Sequence, residues 1–576
     1  MSEGQVPAPS FAAVSGLGLR TERVGALPLL DHVLARIGLD ELLARFVPSD
    51  RRCSLPYARA VGVLLRSLVV EREPVYRQHE AVADFAPELF GLTAEQVAEL
   101  GDDRIGRALD RLFDADRGAL LTEVLVSTVA AFGLSLDEFH ADTTSVRFAG
   151  FYAAARGRTV RGKRAPLITY GYSKDHRPDL KQLLVVLTTT RDGSVPCLFR
   201  AEAGNASDSR THEETWDALC KLAGKKDFLY VADSKLCGGE AMDYLARKGG
   251  RFVTVLPRSR FEDEWFRKWI QENEPAWELV RDRRNPRRRH GPPDRWSVFR
   301  APLPSKEGWP VVWVHGALLA LRQEQARQEQ LGRAREELDR LSRRLSGPRA
   351  RRRARKLVQE EIDKILGRDG VARYLRVKLL RHEVHRFRQE HPGRARPDTR
   401  FRRTTRKLWR IETSLDEAKI VYDRKSDGMY PLVCNDTDLK PAAVLLAHKR
   451  QPAIERRFGE LKGVLEIAPA FLKNEARIEA FFFVEFLALL VRGLIERELR
   501  RAMELGGIKD LPLYPEERRT TRPTSEQVLR LFAHVSRHVL TVDGDDVHPF
   551  EATLTPLQSR VLALLGVPEA AFRPKS

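Results

Sequence analysis

The chain has 576 residues, too many for one ordinary core, so several are expected. Its composition, 42% apolar and 31% charged, is that of a soluble globular protein and excludes wholesale disorder. An excess of 99 Lys and Arg over 80 Asp and Glu leaves a net charge of +19, which favours a polyanionic partner: nucleic acid or an anionic membrane surface.

The membrane is the weaker of the two expectations. The longest apolar run, AFFFVEFLALLV from Ala480, is shorter than the roughly 20 residues of a spanning helix and carries Glu485. The opening MSEGQVPAPSF has neither a basic n-region nor an apolar h-region, so no secretory signal is readable. Cys53, Cys197, Cys220, Cys237 and Cys434 lie far apart with no CxxC pair. That spacing argues against a zinc knuckle or a disulfide framework and fits a reducing cytoplasm.

In chain order, residues 1–20 are small and polar and read as a flexible tail. Residues 21–134 are helical in pattern: LPLLDHVLARIGLDELLARF and YARAVGVLLRSLVV repeat apolar residues at three and four. Asp102 and Asp103 sit where the helix DRIGRALDRLF should start. The expectation is an all-helical N-terminal domain, either DNA-binding or a plain adaptor.

At Leu136 the period becomes alternating. LDEFHADTTSV, LLVVLTTT and CLFRAEA read as strands, HEETWDALCKLAG as a helix, FLYVADS as a buried strand, GGEAMDYLARKG as a helix and RFVTVLP as a fifth strand. This order over residues 135–258 predicts an α/β fold with a mixed sheet, as in the first part of an RNase H-like core.

Residues 259–439 read as an insertion in which that sheet is not continued. Leu331, Ala334, Leu338, Leu341 and Leu345 follow a 3-4 seam, Ser346-Gly347-Pro348 break it, and a second helix from about Arg351 completes a hairpin. Eight basic residues and no acidic ones lie between Arg343 and Lys356. Arg351, Arg352 and Arg353 are therefore candidate DNA-backbone contacts, a solvated charge run being the alternative. WRIETS, AKIVYD and MYPLVCND read as strands. Residues 440–510 return to helix, one from about Lys440 to Gly463 and another from Glu475 to Met503, and residues 511–576 read as a loose tail with one helix.

Asp142 and Asp233 are expected at the ends of the first and fourth strands, where neighbouring strands would bring both carboxylates to one edge. Two such carboxylates can share hard divalent cations, with water and phosphate oxygens completing the shell. Glu455 lies on HKRQPAIERRFGELKG, where Ile454, Phe458, Leu461 and Leu465 form a buried stripe and Glu455, Gly459 and Lys462 the adjoining one. Lys174, Asp175, His176 and Arg177 fall in a loop segment, GYSKDHRPD, that could guide DNA or simply pair internally. Gly204-Asn205 reads as a turn closing the third strand, and Cys237 as buried filler.

These blocks resemble a known family. YGYSKDHRPDLKQLLVVL after HADTTSV, then VADSKL, then DGMYPLVCND with HKRQPAIERRFGELKGVLEIAPAFLKNEARIEA, are similar in content and order to the insertion-sequence DDE transposases of the insertion-sequence-four superfamily. The likeness runs from about residue 20 to 500. It implies an RNase H-like core interrupted by an insertion, with Asp142, Asp233 and Glu455 as the metal-binding catalytic triad for Mg²⁺, or Mn²⁺ in its place. It also implies that Lys462 contacts DNA phosphate; Lys174 and Arg177 are candidate DNA contacts from their loop position alone. The long stretch between Asp233 and Glu455 would hold the family's insertion. His448 and Gln451 stand where the family often has Tyr and Arg, a departure that touches those supporting roles.

The expected activity is cut-and-paste transposition on double-stranded DNA, by a homodimer when two element ends are paired. The alternatives are an RNase H-like nuclease without joining activity, and a catalytically idle DNA-binding protein derived from a transposase.

Overall fold

A computed structural model describes residues 16–49, 53–71, 75–148, 157, 159–171, 179–206, 208–284, 291–347, 350, 353–368, 370–465, 474–543 and 545–573. The chain divides into two compact units, Met1–Val253 with Ala447–Ser576, and Thr254–Leu446.

The first unit is built on a mixed sheet. Its strands lie in the order Pro196–Ala203, Lys181–Thr190, Glu138–Phe148, Leu229–Ala232 and Arg251–Val255. The first three run antiparallel to one another, and the last two are parallel to Glu138–Phe148. Helices Asp208–Ala223 and Gly239–Arg247 connect the parallel strands, the usual device for returning a chain to the same sheet edge. An aromatic layer of Phe139, Phe228, Trp216 and Tyr230 is buried on one face, Phe139 meeting Phe228 edge-on at 4.9 Å.

The apolar run from Ala480 lies on the helix Glu475–Leu505 and is buried all round. Helices Leu27–Ile37, Tyr57–Val70 and Asp102–Asp114 pack against it, and Pro196–Ala203 covers another side. A helix apolar on every side needs such complete enclosure, which explains the run without a bilayer. Among the described residues no helix is long and apolar enough to cross a membrane.

Both ends of this unit depart from the expected tails. Leu17–Arg23 is a strand, paired antiparallel with Ser536–Val542, which in turn pairs with Asp545–Phe550. Residues 511–576 hold these last two strands and two helices, Ser525–Phe532 and Pro556–Leu565, each opened by a Thr capping box. Pairing partners at opposite ends of the chain leave no local pattern to read.

Against the expectation that the sheet stops after residue 258, the strand order runs on from Arg251–Val255, whose last residues belong to the second unit, through Met429–Cys434, Val311–Gly316, Asp294–Arg300 and Glu278–Arg283, these four antiparallel to one another. Phe266 stacks on Trp313 at 3.7 Å beneath them. The helical hairpin is formed by Ala317–Ser346 and Arg355–Arg368, and the seam Leu331, Ala334, Leu338, Leu341 and Leu345 is buried against Val358, Ile362 and Leu366. AKIVYD is helical, within Glu417–Arg424, not a strand. Its β-branched residues favoured a strand, but Ile420 packs onto the hairpin core from a helix whose first turn is closed by Lys419 and Ile420 N–H bonds to Asp416.

The expected single helix from Lys440 is two, Pro441–His448 and Pro452–Leu465. Pro452 has no N–H to donate and disfavours the helical region for the residue before it, so it starts a new helix at its first turn. The break falls at Lys449, Arg450 and Gln451.

Candidate functional site

The strand Glu138–Phe148 has two neighbours, and its pairing differs along its length. It pairs with Leu229–Ala232 only as far as Ala141 opposite Ala232. Beyond that point it continues antiparallel to Lys181–Thr190 alone, with Asp142 opposite Leu187. Asp142 is thus within its strand rather than at its end, a correction to the expectation. Asp233 does end the fourth strand, as the N-cap of a short 3-10 turn, Ser234–Cys237.

The next residues after a paired position in parallel strands stand side by side, about 5 Å apart at Cα, on the same face. Asp142 and Asp233 are those residues, and both are half-buried. Asp142 accepts from the Thr143 N–H at 2.7 Å and Asp233 from the Lys235 N–H at 3.1 Å. The buried Tyr230 hydroxyl, pushed up first by burial, is raised further by the Asp233 and Asp142 carboxylates, so one atom feels both charges.

Alternation puts Glu138 and His140 on the same face as Asp142. There they meet the chain break before Pro452. Arg450 grips Glu138 with Nε and Nη2, each donating at 2.6 Å. His140 bridges, with Nε2 2.8 Å from Glu138 Oε1 and Nδ1 3.1 Å from Gln451 Oε1. Gln451 Nε2 donates to the Ala141 carbonyl at 2.9 Å. Burial alone would raise the Glu138 carboxyl, but His140 and Arg450 outweigh it and hold it at about 2. His448 is half-buried, and loss of hydration pulls its imidazole down to about 4.

Glu455 follows Gln451 by four positions, in the first turn of the helix that Gln451 immediately precedes. It is exposed, Lys462 two turns further is half-buried, and the surface over Gly459 is open. Ile454, Phe458 and Leu461 bury the adjoining stripe. Arg457 is completely enclosed, bonded to Glu496 at 3.0 Å and to the Ser194 carbonyl at 3.1 Å, which fixes the back of the helix. Among the described residues, no three His, Cys, Asp or Glu converge as a group that could hold a metal ion. The structure therefore brings Asp142 and Asp233 together and leaves Glu455 on the helix docked beside them.

Of the other expected residues, Lys174 and Arg177 lie outside the described residues, as do Arg351 and Arg352. Arg353 is paired with Glu361 at 2.8 Å on the hairpin of the second unit, and its carbonyl accepts from Trp409 Nε1. Gly204 closes the third strand as expected, so near the backbone that a Cβ would lie 2.2 Å from the Gln182 carbonyl oxygen. Cys237 is buried. Glu138, His140 and Arg450 were not singled out from sequence, and Gln451 only as a departure from the family's pattern. The available signal was the period-two spacing of Glu138, His140 and Asp142, together with two long polar side chains just before a helix-opening proline.

Residues 19–126 match a family described as a domain of unknown function (DUF4277). No curated protein matches the sequence. Among solved structures, the chain is similar to piggyBac transposase in a synaptic complex with hairpin DNA, at 10% identity over 49% of this chain and 60% of that one, TM-score 0.27. It is also similar to Mos1 transposase in a paired-end complex with the left transposon end, at 11% identity over 39% of this chain and 75% of that one, TM-score 0.14. The chain thus spans about 60% of the piggyBac transposase chain.

Proposed function

We propose that the chain is a DDE-type DNA transposase whose RNase H-like core cuts element ends and joins them to target DNA, working from Asp142, Asp233 and Glu455. The observation that carries this reading is the register of Ala141 opposite Ala232, which sets the two aspartates side by side. The order of the sequence blocks supports Glu455 as the third carboxylate, and the docking of its helix through Gln451 supports its nearness.

The donor chemistry fits a hard divalent cation. Mg²⁺ takes one or two protein carboxylates and keeps waters or phosphate oxygens for its other positions, as a half-buried aspartate pair would allow. Asp142 and Asp233 would hold it; Glu455, which does not converge with them among the described residues, is the further ligand that the block order puts forward. When bound, Mg²⁺ or Mn²⁺ supplies charge that polarises the scissile phosphate and makes bound water a better nucleophile. The chain's own part is positioning. The Gln451 and Arg450 bonds hold strand and helix in one arrangement, so the acidic groups meet the DNA without reorganising. Lys462, two turns along the Glu455 stripe, would meet a phosphate of the bound strand.

The test is single-turnover cleavage and strand transfer on duplex element ends in Mg²⁺. Asp142→Asn and Asp233→Asn should each lower cleavage by at least about 10²-fold while equilibrium DNA binding persists. Chelation should stop cleavage by the unaltered protein. Near-normal cleavage by both variants would refute the assigned pair, and cleavage without any joining would favour the nuclease reading.

A further inference from the structure

The second unit carries a feature that the carboxylate site does not use. Leu375–Gln389 and Phe401–Leu415 form a two-stranded antiparallel ribbon, in unbroken register from Leu375 opposite Leu415 to Gln389 opposite Phe401. Its root is buried: Leu375 and Ile411 belong to the hairpin core, with Val377, Leu379 and Trp409 packed against it. Beyond the root, both faces are largely exposed. Among the described residues no third strand pairs with it.

Residues 375–415 hold thirteen Lys or Arg against four Asp or Glu, and the charge is sided. Cross-strand partners share a face. One face therefore presents Lys378, Arg386, Arg388, Arg402, Arg406 and Arg410, all exposed, with Glu412 as its acidic residue near the root. Among the described residues, Arg386, Arg388, Arg402, Arg406 and Arg410 enter no ion pair. Arg388 stands directly opposite Arg402. Like charges so placed repel, which costs stability in the free protein and is relieved by an anion lying over the pair. The cations of the other face are engaged within the ribbon: Arg381 lies over the Trp409 ring, Arg403 bonds His385, and Lys407 pairs with Glu383.

We propose that this ribbon is a clamp for duplex DNA, lying along a groove with its cationic face on the phosphates. A two-stranded ribbon fits a major groove about 12 Å wide. The cationic stretch from Lys378 to Arg388, at about 3.3 Å per residue, spans roughly one turn of duplex. Eleven of the thirteen cations are arginine, whose planar fork grips phosphate through two hydrogen bonds. The exposed aromatics, Phe387 and Phe401, are on the opposite face, with Glu383. Leu380 is the one exposed large apolar side chain on the cationic face. A bilayer surface is met by a broad apolar band beside its cations, and single strands by aromatics interleaved with unpaired cations, so this arrangement favours the duplex. The deep, narrow major groove of duplex RNA excludes a ribbon of this kind.

The proposal stands on charge and exposure and does not depend on the carboxylate pair. Its test is binding of the full-length protein to duplex DNA across a salt series, in chelator so that no cleavage intervenes. Arg386→Gln, Arg402→Gln and Arg406→Gln combined should weaken binding at least about tenfold and reduce the log K against log salt slope by roughly three. Lysine at the same positions should restore most of that slope. An equal charge loss elsewhere, Arg530→Gln with Arg560→Gln and Arg573→Gln, should change little. Thermal melting of each variant checks that the fold is kept. Unchanged affinity in the ribbon variant, or an equal loss in the control, overturns the proposal. So does loss of binding to phosphatidylserine vesicles or duplex RNA with DNA binding intact. Asp142→Asn cleavage is scored separately, so failure of the ribbon and failure of the catalytic reading are distinct results.

Discussion

Gln451 and Ala141 are joined by a side-chain-to-backbone hydrogen bond of 2.9 Å, across 310 residues of sequence. Ala141 immediately precedes one acidic residue of the candidate site, and Gln451 is one helical turn before another. The bond therefore sets the separation of Asp142 and Glu455 without touching either carboxylate.

Replacing Gln451 by Ala should leave the Ala141 carbonyl and His140 short of a partner inside the protein. A buried acceptor so stranded costs about 1–3 kcal/mol, to be read from a urea unfolding midpoint. Cleavage at saturating DNA should fall about 10–100-fold, as when an outer positioning contact is lost, while DNA affinity stays within a small factor. Equal losses in binding and rate would mean that Gln451 meets the DNA itself.

Glu455 and Lys462 share a stripe but should fail differently. Glu455→Gln removes the carboxylate proposed to hold the metal cation and should lower the single-turnover rate by about 10²-fold or more, with binding retained. Lys462→Ala should weaken binding and flatten the salt slope by roughly one unit, with a smaller loss of rate at saturation. Identical behaviour of the two variants would remove the distinction.

The Glu138 carboxyl, held at about 2 in the folded chain against an ordinary 4.5, links stability to acid. Between those values the unfolded chain takes up a proton that the folded chain does not. This contribution to stability is complete above about pH 4.5 and is lost as pH falls towards 2. Glu138→Gln should therefore be less stable than the unaltered protein at pH 6, with the difference shrinking below pH 4.5. A difference independent of pH from 6 to 2.5, measured by chemical unfolding, would contradict the assignment.

Residues 135–258 were legible because a half-buried sheet writes its period into the chain. HADTTSV and FLYVADS announced both strands, and their aspartates came out adjacent. The ribbon was harder to see. Outside its root both faces meet solvent, so the apolar residues among His385, Arg386 and their neighbours, Val384 and Phe387, do not recur with period two, and only WRIETS at the buried end reads as a strand. The Pro452 break was visible in the sequence, but not its result, because the partners of Arg450 and Gln451 lie on a strand from the other half of the chain. Leu17–Arg23 was hidden for the same reason, its pairing with Ser536–Val542 being wholly non-local.

The first unit is assembled from two stretches of chain separated by the whole of the second, and this has a consequence during synthesis. A ribosome that has passed Asp233 must make all of Thr254–Leu446 before Gln451 exists to bond Ala141. At about 5–20 amino acids added per second, that takes roughly ten to forty seconds. Throughout that interval the nascent polypeptide has both aspartates, the exposed edge of Leu17–Arg23 and none of the helix that carries Glu455. A message broken anywhere in that stretch yields a product with Asp142 and Asp233 but without Glu455, so completion of the proposed acidic set is timed by the arrival of Ala447–Ser576.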